Sequence, residues 1–172
     1  GCLVTNLREE VQRRMHSRGL TCRCLRCRQV RETAEGTFAL IRHDYAASGG
    51  REIFLSFEDP VTDRVASFLR LRIDSTGMGW IRELHSYGHH LPLHRRSDAA
   101  VQHQGFGQRL LKEAERIARE ECGLHRMAVI AGVGVRDYYR KFDYELQDTY
   151  MVKTLTSQPT CHHHRSSRDA GS

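Results

Sequence analysis

Alternating apolar and polar residues predict three strands in the first half of the chain. The segments REIFLSFEDP, residues 51–60, and RVASFLRLRID, residues 64–74, alternate in this way and are joined by a turn around Asp59. A second turn, STGMG, leads to a third strand in WIRELHSYG, residues 80–88. The segment before them, residues 37–50, is ambiguous and ends at a glycine turn. Strands joined by short turns predict an antiparallel arrangement.

The first residues show the spacing of a helix. Asn6 stands three residues before Glu9, an arrangement typical of a capping box at a helix start. Gly19 ends the pattern, as glycine commonly does after a last helical turn. The apolar residues that recur at helical spacing are Leu7, Val11 and Met15.

A second helix begins behind two glycines in VQHQGFGQRLLKEAERIAREECG, residues 101–123. Glycine destabilises a helix by roughly 1 kcal/mol relative to alanine, so Gly105 and Gly107 require a reason. A helix of about 15 residues is predicted behind them, with Glu115 and Arg119 spaced to form an ion pair on its exposed face. The residues of its apolar stripe are Leu110, Leu111, Ala114, Ile117 and Ala118.

The last part of the chain predicts a strand, a short helix and a closing strand. RMAVIAGV, residues 126–133, is an apolar run short enough for a buried strand. RDYYRKF, residues 136–142, predicts the short helix, and YELQDTYMVKTL, residues 144–155, the closing strand. The polar tail behind them is predicted to be disordered. This order of elements indicates an α+β domain whose central sheet is mixed, mostly antiparallel and flanked by helices.

Three cysteines lie within six residues in CRCLRC, namely Cys22, Cys24 and Cys27. A disulfide between such close neighbours is strained, and closely packed thiolates repel each other unless a cation lies among them. Three soft ligands therefore predict a zinc site, with His16, His43 or a residue outside this chain as the fourth ligand. Free thiols are the alternative. An iron–sulfur cluster fits less well, because the spacing differs from its Cys-x3-Cys-x2-Cys motif.

The net charge of +6 resides in the first 31 residues, which hold eight arginines against two glutamates. Arginine binds phosphate through two parallel hydrogen bonds and stacks on bases, so this basic segment favours contact with RNA. A solvated surface in an arginine-rich protein is the alternative. The candidate RNA-binding residues are Arg13, Arg14, Arg18, Arg23, Arg26 and Arg28.

The length of 172 residues suits one domain with a small appendage. No apolar run approaches the ~20 residues of a membrane span, and the start does not have the pattern of a signal peptide. We therefore expect no membrane contact and a cytoplasmic location. The missing initiator Met suggests a piece of a longer polypeptide. The glycine loop lacks the Lys-Ser/Thr of a P-loop and the glycine spacing of a dinucleotide fold, which excludes both classes.

The glycine loop resembles the acetyl-CoA signature of the GNAT acetyltransferase superfamily, in the form Gln102-x-x-Gly105-x-Gly107. A helix start presents unpaired N–H groups and the positive end of the helix dipole. Where the side chain is absent, a pyrophosphate can lie directly against this backbone. A tight strand-to-helix turn is the alternative reason for the two glycines.

Four further segments narrow the resemblance, namely CRCLRCRQV, ASGGREIFLSFEDP, IRELHSYG and AGVGVRDYYRKFDYELQDTYMVK. They are similar to the catalytic subunit family of Elongator over about residues 7–153. In that family a radical-SAM domain with S-adenosylmethionine and a [4Fe–4S] cluster precedes an acetyltransferase-like domain. Together the two domains modify C5 of wobble uridine in tRNA, beginning a carboxymethyl group, and the acetyltransferase-like domain delivers or hydrolyses the acetyl thioester. The resemblance implies that this chain is the second domain, which binds neither S-adenosylmethionine nor the cluster.

The resemblance also implies roles for individual residues. The strand residues expected to contact the pantetheine and the acetyl carbonyl are Glu83, Leu84, His85 and Ser86. The backbone expected to hold the pyrophosphate belongs to Gln104, Gly105, Phe106 and Gly107. The residues matching a tyrosine pair implicated in the acetyl step are Tyr138 and Tyr139, and Tyr139 is also expected to contact acetyl-CoA. The residues matching a zinc cluster are Cys22, Cys24 and Cys27.

The sequence departs from the family at a few positions. Ser86 replaces the usual valine, a mild change if backbone contacts dominate. Asp143 and the residues 147–149 stand where the family commonly has glycine and Gly-Pro, so the local turn geometry is open.

Two chemical roles follow from the residue types. A tyrosine hydroxyl, with a pKa near ~10, suits proton donation to a thiolate. We prefer Tyr139 slightly over Tyr138, because adjacent helical residues point about 100° apart and cannot share one role. Glu83 or His85 is a candidate general base for an amine, although both are more often structural on a central strand. The histidines near the glycine loop contact RNA or are simply solvated: His89, His90, His94 and His103.

We expect three parts: a basic helix and zinc linker over 1–35, an acetyl-CoA-binding domain over 36–153 and a disordered tail over 154–172. The expected function is that of an acetyltransferase domain of a tRNA wobble-uridine modification enzyme, with tRNA and the radical-SAM domain of the same polypeptide as partners. Self-association of the Elongator kind is a further expectation. The alternatives are a protein lysine N-acetyltransferase and a non-catalytic tRNA-binding module with a regulatory acetyl-CoA site.

Overall fold

The computed structural model describes residues 6–31, 36–87 and 105–156. Its helices are α1 (Leu7–Ser17), α2 (Leu25–Arg28), α3 (Phe106–Arg116) and α4 (Arg136–Arg140). Its strands are β1 (Ala39–Ala47), β2 (Gly50–Asp59), β3 (Arg64–Ile73), β4 (Gly79–Ser86), β5 (Arg126–Ile130), β6 (Glu145–Gln147) and β7 (Tyr150–Thr154). A π-helical turn, Ile117–Glu121, continues α3, and a 3-10 turn, Val133–Val135, precedes α4. None of the helices in these ranges has the length and apolar character needed to cross a membrane.

The strands within the described ranges form one sheet in the order β1-β2-β3-β4-β5-β7-β6. Neighbouring strands are antiparallel except β4 and β5, which run parallel. A parallel pair requires a crossover connection, and α3 belongs to that connection. The predicted α+β class with a mixed, mostly antiparallel sheet is therefore confirmed.

The ambiguous segment before Gly50 forms β1, which pairs with β2 from Ala39↔Glu58 to Ala47↔Gly50. The strand lies at the edge of the sheet, and none of its residues is buried. Its apolar and polar residues consequently need not alternate, which explains the weak pattern in the sequence.

One face of the sheet is covered by α3. The apolar stripe predicted from the sequence is fully buried there: Leu110, Leu111, Ala114, Ile117 and Ala118. The strand residues that meet it include Ile53, Leu55, Leu69, Leu71 and Ile81. Burial of an aliphatic side chain of this size stabilises the fold by roughly 1.5–3 kcal/mol, so this contact forms the main core.

The predicted ion pair between Glu115 and Arg119 is wrong. Glu115 is 9% exposed, and its carboxylate accepts a hydrogen bond from the Lys153 ammonium of β7 at 2.9 Å. Arg119 instead pairs with Glu120. The inward face of α3 is wide enough to include Glu115, and the cation that neutralises it comes from a strand distant in sequence.

The single closing strand predicted for residues 144–155 is also wrong, because two strands form there. β6 and β7 pair as a hairpin, with Asp148 in the turn at φ 53°. Asp143 precedes the hairpin at φ 64°. Aspartate tolerates this left-handed conformation better than most residues, so both turns form here without the glycines common in the family.

Helix α1 begins after Asn6, as predicted, but the Asn6 side chain makes no capping hydrogen bond. None of the α1 residues is buried. The capping box is therefore absent, although the boundary that it predicted is right.

The segment behind α1 is attached to the sheet through the turn between β2 and β3. The Arg28 guanidinium contacts the carboxylates of Glu58 and Asp63, and Arg23 pairs with Asp63 at 2.9 Å. The Val30 amide donates to the Val65 carbonyl at 3.0 Å, and the Val30 side chain is buried in the core. The cysteine-rich segment is thus anchored to the domain by both charge and apolar contact.

The buried pair of Glu115 and Lys153 makes a stability prediction. Lys153→Met leaves the Glu115 carboxylate buried without its cation, so we expect a loss of about 2–3 kcal/mol in the free energy of unfolding. The double variant with Glu115→Leu removes both charges and should recover most of that loss. Urea unfolding followed by Trp80 fluorescence measures both values. Equal stability of Lys153→Met and the unmodified protein would contradict the account.

Candidate functional site

The strands β4 and β5 separate along their length. Their parallel pairing runs from Gly79↔Met127 to Ile81↔Val129 and ends there. β4 nevertheless continues to Ser86 and remains paired with β3. None of the described strands pairs with the second half of β4 on its β5 side, so this part of β4 borders an opening in the described sheet.

The alternation of backbone hydrogen bonds decides which groups face this opening. The Tyr87 amide donates to the Ala66 carbonyl at 2.8 Å, so these two residues form a hydrogen-bonded pair. In an antiparallel ladder hydrogen-bonded and non-hydrogen-bonded pairs alternate, so every second residue of β4 counted back from Tyr87 is hydrogen-bonded to β3. The backbone N–H and C=O groups of His85 and Glu83 therefore point toward β3. Ser86 and Leu84 consequently turn their N–H and C=O groups away from β3 and into the opening.

The side chains of β4 divide between the two faces of the sheet. Glu83 accepts a hydrogen bond from Arg70 at 3.0 Å, and the His85 ring stacks on Phe68 at 5.1 Å between centroids. Both lie on the face opposite α3. Leu84 and Ser86 lie on the face of α3, since successive side chains of a strand alternate.

The start of α3 lies next to this opening. Gly105 is the N-cap residue, none of the described side chains caps the helix, and no acidic residue stands in its first turn. The positive end of the α3 dipole at this point favours an anion. Among the residues that the structure describes, no atom lies within 4 Å of the position that a Cβ on Gly105 would occupy. Gln102, His103 and Gln104 lie outside the described residues, as do His89, His90 and His94.

Gly107 stands where three elements meet. A Cβ added there would lie 3.1 Å from the Ser86 Oγ of β4 and 3.1 Å from the Tyr138 hydroxyl of α4. These contacts are tighter than usual, so the absence of a side chain lets α3 approach both groups closely. The two glycines thus have different structural roles. The missing side chain of Gly107 lets α3 pack closely against β4 and α4, whereas no described atom lies close to the position of a side chain at Gly105.

The two adjacent tyrosines have different environments. Tyr138 is half-buried, its hydroxyl reaches the opening beside Gly107, and burial raises the pKa of this hydroxyl. Tyr139 is 6% exposed, and its ring packs edge-on against Tyr144 at 5.7 Å. Burial and, secondly, the neighbouring Tyr138 raise the pKa of Tyr139 to about 12. Both hydroxyls are therefore protonated at neutral pH.

The three cysteines converge as the sequence predicts. The Sγ atoms of Cys22, Cys24 and Cys27 all lie within 4.8 Å of one another. Four ligands at ~2.3 Å around a tetrahedral zinc ion have similar separations, so this donor set fits the metal. Among the described residues no histidine or carboxylate joins the group. His16 lines the same cavity as Cys22 and Cys27, whereas His43 stacks on Phe54 in the sheet.

The surroundings favour the thiolate of Cys24, whereas the pKa of Cys22 is raised. The backbone N–H of Cys27 and the neighbouring thiols lower the pKa of Cys24 to about 6. Arg8 and Gln12 of α1 donate hydrogen bonds to the Cys27 Sγ at 3.1 and 3.3 Å. The cluster therefore also connects α1 to the segment behind it.

The candidate RNA-binding arginines fall into two groups. Arg13 and Arg14 pair with Glu10 on the exposed surface of α1, and Arg18 and Arg26 are exposed. The other two join the ion pairs that anchor the segment to the turn between β2 and β3: Arg23 and Arg28. The Arg28 side chain is 17% exposed, so it is engaged inside the protein.

Sequence reasoning missed Ser67 of β3. This residue is fully buried, and its hydroxyl contacts β4 at the opening. A small polar residue at an inward-facing position of an apolar strand was the available signal.

The low pKa of Cys24 makes a testable prediction. In the metal-free protein we expect one thiol to be alkylated with a midpoint near pH 6, because only the thiolate reacts. Stopped-flow alkylation with a fluorescent bimane between pH 5 and 9 measures this phase. Cys24→Ser should remove the phase. If every thiol titrates above pH 8, the geometry of the cluster does not activate Cys24.

Comparisons with known proteins agree with this geometry. The sequence matches the model of the acetyltransferase (GNAT) family over residues 23–144. It is 47% identical over 165 residues to Elongator complex protein 3 of Homo sapiens, covering 87% of this chain and 30% of that protein. It is 44% identical over 169 residues to the tRNA uridine(34) acetyltransferase of Dehalococcoides mccartyi strain CBDB1, covering 89% of this chain and 37% of that protein.

A solved structure gives the same picture. The archaeal Methanocaldococcus infernus Elp3 with an N-terminal deletion of residues 1–46 superposes with a TM-score of 0.73 at 40% identity. The match covers 88% of this chain and 40% of that one. The chain thus spans about a third of the length of the curated relatives it matches. The resemblance to the Elongator catalytic subunit is confirmed, and since the family match covers more than two thirds of the sequence, the chain belongs to the acetyltransferase (GNAT) family.

Proposed function

We propose that this chain is the acetyl-CoA-binding acyltransferase domain of an enzyme that modifies wobble uridine in tRNA. The observation that carries the proposal is the opening between β4 and β5, bordered by the backbone of Leu84 and Ser86 and by the start of α3, which no described side chain caps. The likeness to a tRNA uridine(34) acetyltransferase supports the choice of acceptor.

Acetyl-CoA would bind in two sections. Its diphosphate would lie on the first N–H groups of α3, at Gly105, Phe106 and Gly107, with Gln104 preceding them. Its pantetheine arm would take the place of a strand in the opening and pair with the backbone of Leu84 and Ser86. This arrangement satisfies backbone groups that would otherwise stay unpaired at the strand edge.

The acyl transfer step would use β4 and α4. An N–H group at the end of β4 would donate to the thioester carbonyl and stabilise the negative charge that develops there. In thioester hydrolysis, water would bond to the acyl carbon and lose a proton to solvent as the C–S bond breaks, and Tyr138 would give its proton to the departing sulfur. Tyr138 then regains a proton from solvent. Its raised pKa keeps that proton in place until a basic thiolate forms.

The geometry favours Tyr138 over Tyr139 as this donor, which reverses the slight preference from the sequence. The Tyr138 hydroxyl reaches the opening, whereas the Tyr139 ring packs against Tyr144 in the core. Tyr139 would then hold α4 in position and contact acetyl-CoA only with the edge of the tyrosine ring.

An amine acceptor receives less support. Glu83 is engaged by Arg70, and the His85 ring lies on the face of the sheet opposite Tyr138. Neither stands beside the Tyr138 hydroxyl as a base for lysine. A protein lysine N-acetyltransferase is therefore the weaker candidate.

The cysteines would hold a structural zinc ion. Cys22, Cys24 and Cys27 would ligate it as thiolates, and His16, which lines the same cavity, is a candidate fourth ligand. The ion would supply cohesion between α1 and the sheet-anchored segment, because it adds a strong crosslink to a part of the chain with little core.

The remainder of the reaction would belong to parts outside this chain. Its relatives are about three times as long, which leaves room for a radical-SAM domain with S-adenosylmethionine and a [4Fe–4S] cluster. In this proposal residues 1–35 connect that domain to the acyltransferase domain of 36–153, and 154–172 form a tail. The intact protein would act on tRNA in the cytoplasm, with Elongator-like self-association.

The central test is thioester cleavage by the intact polypeptide. We expect acetyl-CoA hydrolysis that depends on tRNA, a fall of about 100-fold for Tyr138→Phe and a fall of less than about 5-fold for Tyr139→Phe. Release of CoA thiol, followed with a chromogenic disulfide, measures the rates, and calorimetry confirms that both variants still bind acetyl-CoA.

Three outcomes would contradict the proposal. Acetylation of a lysine peptide without RNA would favour the lysine N-acetyltransferase. Binding of acetyl-CoA and tRNA without cleavage would favour the non-catalytic module. A larger loss for Tyr139→Phe than for Tyr138→Phe would reverse the assignment of the donor.

The basic segment makes a prediction about salt. If Arg18 and Arg26 contact tRNA phosphates, replacing both with Glu should weaken tRNA binding and flatten the slope of log K against log salt concentration by roughly 1.5–2. Filter binding between 50 and 300 mM KCl measures the slope. Arg126→Glu on the exposed part of β5 is the matched control, and an equal effect there would mean that contact is not localised to this segment.

A further inference from the structure

Ser67 of β3 is buried directly beside the opening. Its hydroxyl donates to the His85 carbonyl at 2.7 Å and lies 2.9 Å from the Ser86 hydroxyl. Ser67 and Ser86 stand opposite each other in the register of β3 and β4. This pair is not hydrogen-bonded through the backbone, and its side chains are therefore brought close.

The proton count fixes the direction of this contact. A carbonyl has no proton, so the 2.7 Å bond to His85 uses the single hydroxyl proton of Ser67. At the 2.9 Å contact Ser67 can then only accept, and Ser86 must donate. The Ser86 proton thus points toward β3, away from the opening.

The position of the Ser86 oxygen shows where its remaining lone pairs are accessible to a donor. The Ser86 Oγ is 3.1 Å from the point where a Cβ on Gly107 would lie, and the residue is exposed. Its free side therefore faces the space between β4 and the start of α3. In this space Ser86 presents an acceptor and no donor.

We propose that Ser67 is a positioning residue that orients the Ser86 hydroxyl as an acceptor for an N–H group of bound acyl-CoA. The inference rests on the proposed function, since the ligand is the one assigned to the opening. The amide N–H groups of the pantetheine arm are donors of the right kind. The thioester carbonyl is an acceptor, so an oriented Ser86 does not compete with the N–H groups of β4 for it.

Calorimetry with the intact polypeptide and a non-hydrolysable thioether analogue of acetyl-CoA tests this inference. A single hydrogen bond of ordinary strength corresponds to about a 5-fold change in affinity, so we expect Ser67→Ala and Ser86→Ala each to weaken binding by about that factor. Because Ser67 acts through Ser86, the double variant should bind no more weakly than Ser86→Ala alone. Ser67→Thr keeps the hydroxyl and should restore most of the affinity.

This double-mutant cycle distinguishes an effect of Ser67 on the orientation of Ser86 from a general loss of structure. Independent, additive losses in the double variant would overturn the inference. So would disappearance of the Ser67→Ala effect in a Tyr138→Phe background, because Ser86 would then serve Tyr138 and not the ligand. If the unmodified protein fails to bind the analogue at all, the proposed function fails. If it binds and the two losses add, only the role of Ser67 fails.

Discussion

The structure depends on the loss of one strand partner. Among the described strands, β4 is paired on both sides up to Ile81 and on its β3 side alone from there to Ser86. Leu84 is partly buried and Ser86 is exposed, so the backbone groups at this edge are open to a ligand or to solvent. The same pairing that builds the sheet thus leaves a defined edge at which a linear, amide-containing molecule can take the place of a strand.

The other features of the site follow from this edge. The crossover that makes β4 and β5 parallel brings the start of α3 to the opening, and Gly107 allows it to approach closely. The short helix α4 brings the Tyr138 hydroxyl to the same point. The Tyr139 ring packs instead in the core beside Tyr144. The start of α3, the edge of β4 and the Tyr138 hydroxyl are therefore brought together at one place.

Long periodic segments could be predicted from the sequence, and details set by distant partners could not. In α3 and in the strands around Ile53 and Leu69, apolar residues recur at regular spacing over enough turns or residues to predict which face is buried. The pairing of Glu115 was misjudged because its partner, Lys153, lies on a strand far along the chain. The closing hairpin was missed because β6 has only three residues, all exposed, and its turn uses aspartate where glycine is the usual signal.

The same holds for the candidate site: its sequence motif could be predicted, but the contacts that depend on strand pairing could not. The motif located the glycines and β4, but only the register shows that Leu84 and Ser86, and not their neighbours, face the opening. The measurement that tests this account most directly is a crystal structure of the intact polypeptide with a non-hydrolysable acetyl-CoA analogue. We expect the diphosphate on the amides of Gly105 to Gly107 and the pantetheine hydrogen-bonded to the backbone of β4. A diphosphate bound elsewhere, or a pantetheine arm that does not touch β4, would contradict it.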